Sequence, residues 1–141
     1  MDKNNRAYQV SLQSREHVRS HDRQAWLDMF AEDGIIEDPI GKSALDPEGR
    51  GYATPAAREA FWDRNIANST IDIDIRNTFT AGGNECANVV RLTIELTHEG
   101  KRYRQIVDGV FTYAVDPHGK LKSLRGYWEY AEGLATLQEI G

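Results

Sequence analysis

The spacing of apolar residues predicts two helices at the start of the chain. A first helix carries an inward stripe of positions three or four residues apart: Ala7, Val10, Ser14 and Val18. The polar Ser14 is therefore expected to face the interior. Asp22 is a suitable N-cap for a second helix, which Gly34 would end. The apolar face of this second helix would consist of Trp26, Met29 and Phe30.

A short extended segment is expected directly after the second helix. Ile35 and Ile36 indicate a buried strand, and Pro39 pushes the residue before it, Asp38, towards extended geometry. Asp38 is thus expected at the end of that strand. The next residues, 42–53, are rich in glycine, proline, aspartate and serine, which is typical of a surface loop.

A third helix is predicted to follow this loop. Thr54 can serve as its N-cap, and Pro55 suits the first helical position because that position needs no backbone N–H donor. The residues that this helix would turn towards a core are Ala57, Phe61, Trp62 and Ile66.

The rest of the chain alternates between apolar and polar residues with a period of two, as in strands with one solvated face. Turns at residues 82–84, 99–100 and 116–119 separate four such strands. The apolar residues of the last strand are Leu121, Leu124, Tyr127, Trp128 and Tyr130, and their alternation slips once, as at a bulge. A C-terminal helix is expected over residues 134–140.

Helices followed by a β meander predict a single α+β domain over residues 1–141. To bury its apolar face, the antiparallel or mixed sheet must curve around the N-terminal helices. Such a sheet is cone-shaped and encloses an interior space.

Composition narrows the function. The chain has 141 residues and a net charge of -5, which disfavours nucleic acid and anionic membranes as partners. Cys86 is the only cysteine, so an intrachain disulfide is excluded. The polar N-terminal residues lack the apolar run of a signal peptide or an anchor. We therefore expect a cytoplasmic protein with no nucleic-acid and no membrane partner.

No motif for a cofactor or a metal is found. His17 and His21 could share a helix face, but no third ligand has a recognisable spacing from them. Glycine-rich motifs for dinucleotides or phosphate are missing as well. We expect neither a metal nor a cofactor.

Two acids are candidates for chemistry. Asp38, at the mouth of a buried strand, is either a partly desolvated base or an ordinary turn aspartate. Asp108 lies inside a predicted strand, where aspartate is disfavoured. A bulge at Gly109 would put Asp108 on the concave face with Phe111, whereas strict alternation would put it on the convex face, paired with Arg104.

Three segments together are recognisable. They are residues 30–41 (FAEDGIIEDPIG), residues 106–108 (IVD) and residues 126–128 (GYW). In this order the set resembles the ketosteroid isomerase family, which has the nuclear transport factor 2-like fold and is related to SnoaL-like proteins. The resemblance runs from about residue 7 to about residue 130.

The resemblance implies roles for the two acids. Asp38 would be the general base, which takes a proton beside a ketone and returns it further along, so that a double bond moves. Asp108 would be a neutral acid that donates a hydrogen bond to the dienolate oxygen. Trp128 would form a wall of the steroid pocket, although plain core packing explains it equally well. The family also implies a small apolar ligand such as a steroid and a homodimer.

The chain departs from the family at its oxyanion site. Ser14 occupies the position of the family's oxyanion tyrosine, and two supporting tyrosines are replaced at Phe30 and Trp62. The resulting candidates for substrate binding are Ser14, Phe30, Trp62, Phe111 and Trp128. Losing one oxyanion donor typically slows such an enzyme roughly 10²- to 10³-fold, so weak activity is compatible with these changes.

Three hypotheses about function follow. The first is a Δ5-3-ketosteroid isomerase-like enzyme that works without a cofactor. The second keeps the fold and changes the reaction to that of a cyclase, dehydratase or epoxide hydrolase, with Arg104 and Asp108 together on the concave face. The third is a module that binds an apolar ligand without catalysis.

Overall fold

The computed structural model describes residues 1–141 as four helices and a six-stranded sheet. The helices are α1 (Arg6–Ser20), α2 (Arg23–Leu27), α3 (Pro55–Asn65) and α4 (Tyr130–Ala135). The strands are β1 (Phe30–Glu37), β2 (Ser69–Ala81), β3 (Glu85–His98), β4 (Lys101–Val115), β5 (Leu121–Tyr127) and β6 (Gln138–Glu139). None of the helices is long and apolar enough to cross a membrane.

The sheet is mixed, as the α+β expectation allowed. Its strand order is β1-β5-β4-β3-β2, and the short β6 pairs with β4. Strands β2 to β5 form an antiparallel meander, while β1 adds to β5 in parallel. A register shift between Ile75 and Asn77 bends β2. The long strands β2, β3 and β4 all contact α1, so the sheet wraps around this helix as predicted.

Helix α1 presents a narrow, partly polar stripe to the sheet. Its N-cap is Asn5, whose side chain accepts a hydrogen bond from the Tyr8 amide. The buried residues of α1 are Ala7, Ser11, Ser14 and Val18. Ser14 therefore faces inward as expected, and Ser11 takes the place that the sequence pattern gave to Val10.

The second helix is shorter than predicted. Asp22 caps it, but it ends at Leu27, and β1 already begins at Phe30. Gly34 lies within this strand. A Cβ on Gly34 would come within 2.5 Å of the Leu121 carbonyl oxygen of β5, so glycine is required there by the close approach of two backbones.

The loop over residues 42–53 and the start of α3 agree with the sequence pattern. Thr54 accepts a hydrogen bond from the Ala57 amide, and Pro55 takes the first helical position. Near its end the loop returns to the sheet, where Tyr52 and Ile36 form an isolated β-bridge. This return brings the loop beside the segment that follows β1.

The C-terminal region differs from expectation in two ways. The predicted slip is present, because Ala114 pairs with Ser123 whereas Val115 pairs with Leu121. However, β5 ends at Tyr127, so Trp128 and Tyr130 are not in a strand. The predicted helix over 134–140 is wrong as well: α4 ends at Ala135, and β6 then adds to the outer part of β4.

An aromatic cluster fills the space between the helices and β1. Trp26 is at its centre, with its ring centroid 4.9 Å from Phe30, 6.1 Å from Phe61 and 5.3 Å from Trp62. All four side chains are buried. This cluster closes one side of the cone and leaves the concave face of the sheet free to line an interior cavity.

Candidate active site

The cone encloses a cavity of about 470 Å³ between the helices and the concave face of the sheet. Nineteen of its 29 lining residues are hydrophobic, among them the three isoleucines of β2 at 71, 73 and 75. Asp38 is the only aspartate or glutamate in the lining. A mostly hydrophobic cavity of this size suits a small apolar molecule that meets one carboxylate.

The pairing of β1 with β5 brings Asp38 into the cavity. Glu37 pairs with Arg125, so the next residue, Asp38, lies beside Gly126. A Cβ on Gly126 would lie 2.9 Å from Asp38 Oδ1 and 2.9 Å from Phe111 Cε2. Glycine at this position therefore leaves the space in which the carboxylate and the Phe111 ring sit.

Trp128 holds the Asp38 carboxylate. It follows β5 directly, and its indole Nε1 donates a hydrogen bond of 2.6 Å to Asp38 Oδ1. No other side chain donates to this carboxylate, and no cation forms an ion pair with it. Asp38 is thus an oriented carboxylate in apolar surroundings, rather than a solvated turn residue.

This environment makes Asp38 more basic than an ordinary aspartate. Burial raises the pKa of Asp38 from 3.8 to about 6, and the Trp128 hydrogen bond opposes part of this rise because it stabilises the charged form. Near neutral pH the group is mostly ionised and still able to accept a proton. These are the properties that a general base needs.

The hydroxyl groups of Ser14 and Tyr113 also lie in the cavity wall. Ser14 Oγ accepts a hydrogen bond of 3.0 Å from the indole Nε1 of Trp26. Tyr113 is buried on β4 near Ser14, and both residues line the cavity. Burial, followed by the charge of Asp38, raises the pKa of Tyr113, so its hydroxyl stays protonated.

The Asn88 side chain, which also lies in the cavity wall, already has hydrogen-bond partners within the protein. Asn88 Nδ2 donates to Ser11 Oγ at 3.0 Å, and Ser11 Oγ donates to the Tyr8 carbonyl oxygen at 2.7 Å. The Asn88 side-chain oxygen accepts from Thr78 Oγ1 at 2.8 Å. These bonds tie α1 to β2 and β3, and they leave the Asn88 amide little capacity for a ligand.

Asp108 is on the opposite face of the sheet from the cavity. The β3–β4 register runs without a shift, so Gly109 carries no bulge and the expected concave placement of Asp108 is wrong. Strict alternation holds instead. The partner of Asp108 is Arg91, which donates two hydrogen bonds to it at 2.7 and 2.8 Å, and not Arg104.

The Arg91 pair keeps Asp108 ionised. Its hydrogen bonds lower the pKa of Asp108, the reverse of what a neutral oxyanion donor needs. Arg104 is bound to Glu95 at 3.2 Å on the same outer face. A concave Arg104–Asp108 pair for cyclase or epoxide hydrolase chemistry is therefore not formed.

The remaining predicted site residues fall into two groups. Ser14, Phe111 and Trp128 line the cavity. Phe30 and Trp62 do not line it, since both pack in the aromatic cluster behind Trp26. Trp26 and Tyr113 also line the cavity and were not predicted to do so, although alternation along β4 already places Tyr113 on the same face as Phe111.

The structure holds no preformed metal site. No group of three or more histidine, cysteine, aspartate or glutamate side chains is arranged to bind an ion. Besides the Asp38 carboxylate, the cavity wall carries the indoles of Trp26 and Trp128 and several hydroxyl groups, among them those of Ser14 and Tyr113.

Comparison with known proteins places the chain in a family. Residues 13–124 match the model of the SnoaL-like domain. Δ5-3-ketosteroid isomerase from Mycobacterium sp. is 33% identical, with a TM-score of 0.84 over 96% of this chain and 99% of that one. Rv0760c from Mycobacterium tuberculosis, solved in complex with estradiol-17β-hemisuccinate, is 35% identical, with a TM-score of 0.79 over 95% and 98%.

A more distant structure has a different activity. The epoxide hydrolase/cyclase-like enzyme SalBIII, described in pyran ring formation in the polyether salinomycin, is 25% identical, with a TM-score of 0.67 over 99% of this chain and 100% of that one. Among curated proteins, none matches the chain. By the matched family model and the two relatives of at least 33% identity, the chain belongs to the SnoaL-like domain family of the nuclear transport factor 2-like superfamily and is a ketosteroid isomerase-like protein.

Proposed function

We propose that this protein is a cofactor-free isomerase that moves a carbon–carbon double bond in an apolar ketone of the Δ5-3-ketosteroid class. The observation that carries the proposal is the Asp38 carboxylate, which is the only carboxylate in an apolar cavity and has a pKa of about 6. A lone, partly desolvated base is of use for taking a proton from carbon, and of little use for binding an apolar molecule.

The reaction needs one base that both removes and returns a proton. Asp38 takes a proton from the carbon beside the carbonyl group, and the electron pair left behind is delocalised into a dienolate. The protonated Asp38 then gives the same proton to the far end of the dienolate, so the double bond becomes conjugated with the ketone. Trp128 keeps the carboxylate in place during both transfers through its hydrogen bond.

The substrate class is supported by the cavity and by the relatives. The wall is mostly aliphatic and aromatic, so burial of an apolar ring system supplies the binding energy. One relative is a ketosteroid isomerase, and another was solved with a steroid ester. A steroid with a ketone at the end that reaches Asp38 fits both observations.

Ultraviolet detection of the conjugated enone tests this function. Purified protein is mixed with 5-androstene-3,17-dione, and formation of the 4-ene product is followed for the wild type and for Asp38→Asn. We expect turnover by the wild type and a loss of at least about 10³-fold in kcat for the variant, as for removal of an essential proton-transfer group. Equal turnover by the two proteins would reject the mechanism.

A second candidate function is binding without catalysis. It is favoured by Ser14 at the position of the oxyanion tyrosine and by the outward placement of Asp108, which together leave no second acid in the cavity. Tight binding of a steroid, seen by quenching of the lining tryptophans, without any enone formation would establish this alternative.

The proposal includes a homodimer formed through the outer face of the sheet. Phe79 and Tyr127 are 63% and 50% exposed, and both lie beside the same shallow depression on that face. Exposed aromatic side chains of this kind favour protein contacts. Sedimentation equilibrium of the wild type and of Phe79→Lys tests it, with a weaker dimer expected for the variant. The cytoplasmic location stays a prediction.

A further inference from the structure

Ser14 and Tyr113 form a pair of hydroxyl groups in the cavity wall. Trp26 Nε1 already donates to Ser14 Oγ at 3.0 Å. The Tyr113 hydroxyl lies near Ser14, which lowers the pKa of Tyr113 against the larger effect of burial. The three residues belong to different elements, α1, α2 and β4, so the fold itself brings them together.

A count of hydrogens shows that this pair has a donor to spare. An indole N–H can only donate, so Ser14 Oγ is the acceptor from Trp26. Ser14 and Tyr113 each carry one hydroxyl hydrogen, and only one of the two can lie between their oxygens. The other hydrogen has no acceptor in the protein, because neither hydroxyl donates to a carbonyl or a carboxylate.

The spare donor opens into the cavity. No fully buried side-chain nitrogen or oxygen of the chain lacks a hydrogen-bond partner. The hydroxyl whose hydrogen has no acceptor is therefore accessible from the cavity. Ser14 and Tyr113 both line the cavity, where a ligand acceptor can reach them. A donor left unsatisfied in such a place costs free energy, and a ligand oxygen would remove that cost.

The strand register puts Tyr113 near the proposed base. Phe111 pairs with Gly126, which lies beside Asp38, and Tyr113 pairs with Leu124, two residues earlier on β5. Phe111 and Tyr113 are on the same face of β4. The hydroxyl and the carboxylate thus lie along one wall of the cavity, close enough for the Asp38 charge to act on the phenol.

We propose that Tyr113 is a catalytic residue that donates its hydroxyl hydrogen to the carbonyl oxygen of the ligand, in place of the oxyanion tyrosine that this chain lacks at Ser14. Ser14 accepts from Trp26 and donates to Tyr113, which then donates to the ligand. Each bond in such a chain polarises the next and strengthens the last donor. This role in catalysis rests on the proposed isomerase function, whereas recognition of a ketone oxygen does not.

The protonation states agree with a donor role. Burial raises the pKa of Tyr113, so the phenol keeps its proton throughout the working pH range. Tyr113 therefore stabilises the negative oxygen of the dienolate by a hydrogen bond and transfers no proton. Asp38 remains the only group that exchanges a proton with carbon.

The contact between Tyr113 and the ligand oxygen is tested by comparing the binding of two ligands to the wild type and to variants. The ligands are androst-4-ene-3,17-dione and androst-4-en-17-one, which differ only in the 3-oxygen. Titrations are followed by tryptophan fluorescence in the wild type, in Tyr113→Phe and in Tyr130→Phe, a control at another position of the cavity wall. Thermal melting checks that each variant is folded.

We expect Tyr113→Phe to weaken binding of the dione by about 3- to 10-fold and to change binding of the monoketone by less than about twofold. Tyr130→Phe should change the two ligands equally. The absorption band of the bound enone should also lie at longer wavelength in the wild type than in Tyr113→Phe. Equal losses for both ligands, or no loss, would overturn the assignment.

These measurements distinguish failure of the role assigned to Tyr113 from failure of the proposed isomerase function. If the dione alone loses affinity and the wild type shows no turnover, Tyr113 recognises the ketone and the isomerase proposal fails. If the wild type turns over Δ5-3-ketosteroid and Tyr113→Phe retains both kcat and dione affinity, the isomerase proposal stands and the role of Tyr113 is rejected.

Discussion

The indole of Trp128 and the carboxylate of Asp38 are joined by a hydrogen bond of 2.6 Å from Nε1 to Oδ1. It is the only hydrogen bond that the protein donates to this carboxylate, and its effect on the pKa of Asp38 opposes the effect of burial. Burial raises the pKa of Asp38, whereas the indole stabilises the ionised form and lowers it. The balance of these two effects sets the pKa of Asp38 at about 6.

Replacement of Trp128 should therefore make Asp38 a weaker acid. In Trp128→Phe the charged form loses its donor, so the pKa rises and the acidic limb of the kcat/KM profile moves to higher pH. A hydrogen bond worth about 1 kcal/mol corresponds to roughly a fivefold loss of activity on that limb. The pH profile of turnover measures the shift.

Tyr130→Phe is the matched control for this prediction, since Tyr130 also lines the cavity and makes no bond to Asp38. The midpoint of its acidic limb should equal that of the wild type. A Trp128→Phe profile with an unchanged midpoint would mean that the indole does not tune the base.

Asp38 should reduce the stability of the protein above its pKa. The folded-state pKa of about 6 lies above the ordinary value of 3.8, so the folded protein holds the proton more tightly than the unfolded chain. The unfolding free energy therefore falls as pH rises from about 4 to above 6. Since each tenfold difference in proton affinity corresponds to roughly 1.4 kcal/mol, the loss is at most about 3 kcal/mol.

Asp38→Asn removes the free-energy cost of keeping an ionised carboxylate in the cavity. The variant should therefore be more stable than the wild type at pH 8 but not at pH 4. Urea unfolding of both proteins at the two pH values measures the difference. A variant that is equally or less stable at pH 8 would show that the carboxylate is well solvated in the native state.

Asp108→Asn should leave turnover unchanged within about twofold, because Asp108 is on the outer face of the sheet and bound to Arg91. The pair is exposed to solvent, so its loss should lower the stability of the fold only slightly. Steady-state kinetics and urea unfolding measure the two effects. A large fall in kcat would place Asp108 in the reaction after all.

Gly126→Ala should impair the base without removing it. The added methyl group would lie 2.9 Å from Asp38 Oδ1 and from Phe111 Cε2, so one of them must move. Small displacements of a catalytic group cost up to about 10²-fold in rate, and we expect kcat to fall by at least about tenfold. Circular dichroism should show an intact fold, and activity equal to the wild type would mean that the carboxylate position is not critical.

The inward and outward faces of the long strands could be predicted from the sequence. Strict alternation along β4 places Phe111 and Tyr113 inside and Asp108 outside, as observed. A bulge at Gly109 was considered because aspartate, the residue at position 108, is unusual inside a strand. The explanation is its cross-strand neighbour Arg91, and a pairing across strands depends on a register that local sequence does not contain.

The end of the second helix was unpredictable for a similar reason. Trp26, Met29 and Phe30 have helical spacing, yet β1 starts at Phe30 because that segment pairs in parallel with β5, about 90 residues later. Phe30 consequently packs against Trp26 and not against the ligand cavity. By contrast, Asp38 was predictable, because Pro39 fixes the extended geometry in front of it.

The pH dependence of kcat/KM for a Δ5-3-ketosteroid, measured on the wild type and Asp38→Asn, shows whether a desolvated Asp38 is the base. We expect the wild-type rate to rise through a single ionisation near pH 6 and then level off, with turnover by Asp38→Asn at background at every pH. A wild-type limb near pH 4, or residual turnover by Asp38→Asn with the same pH profile, would contradict the claim.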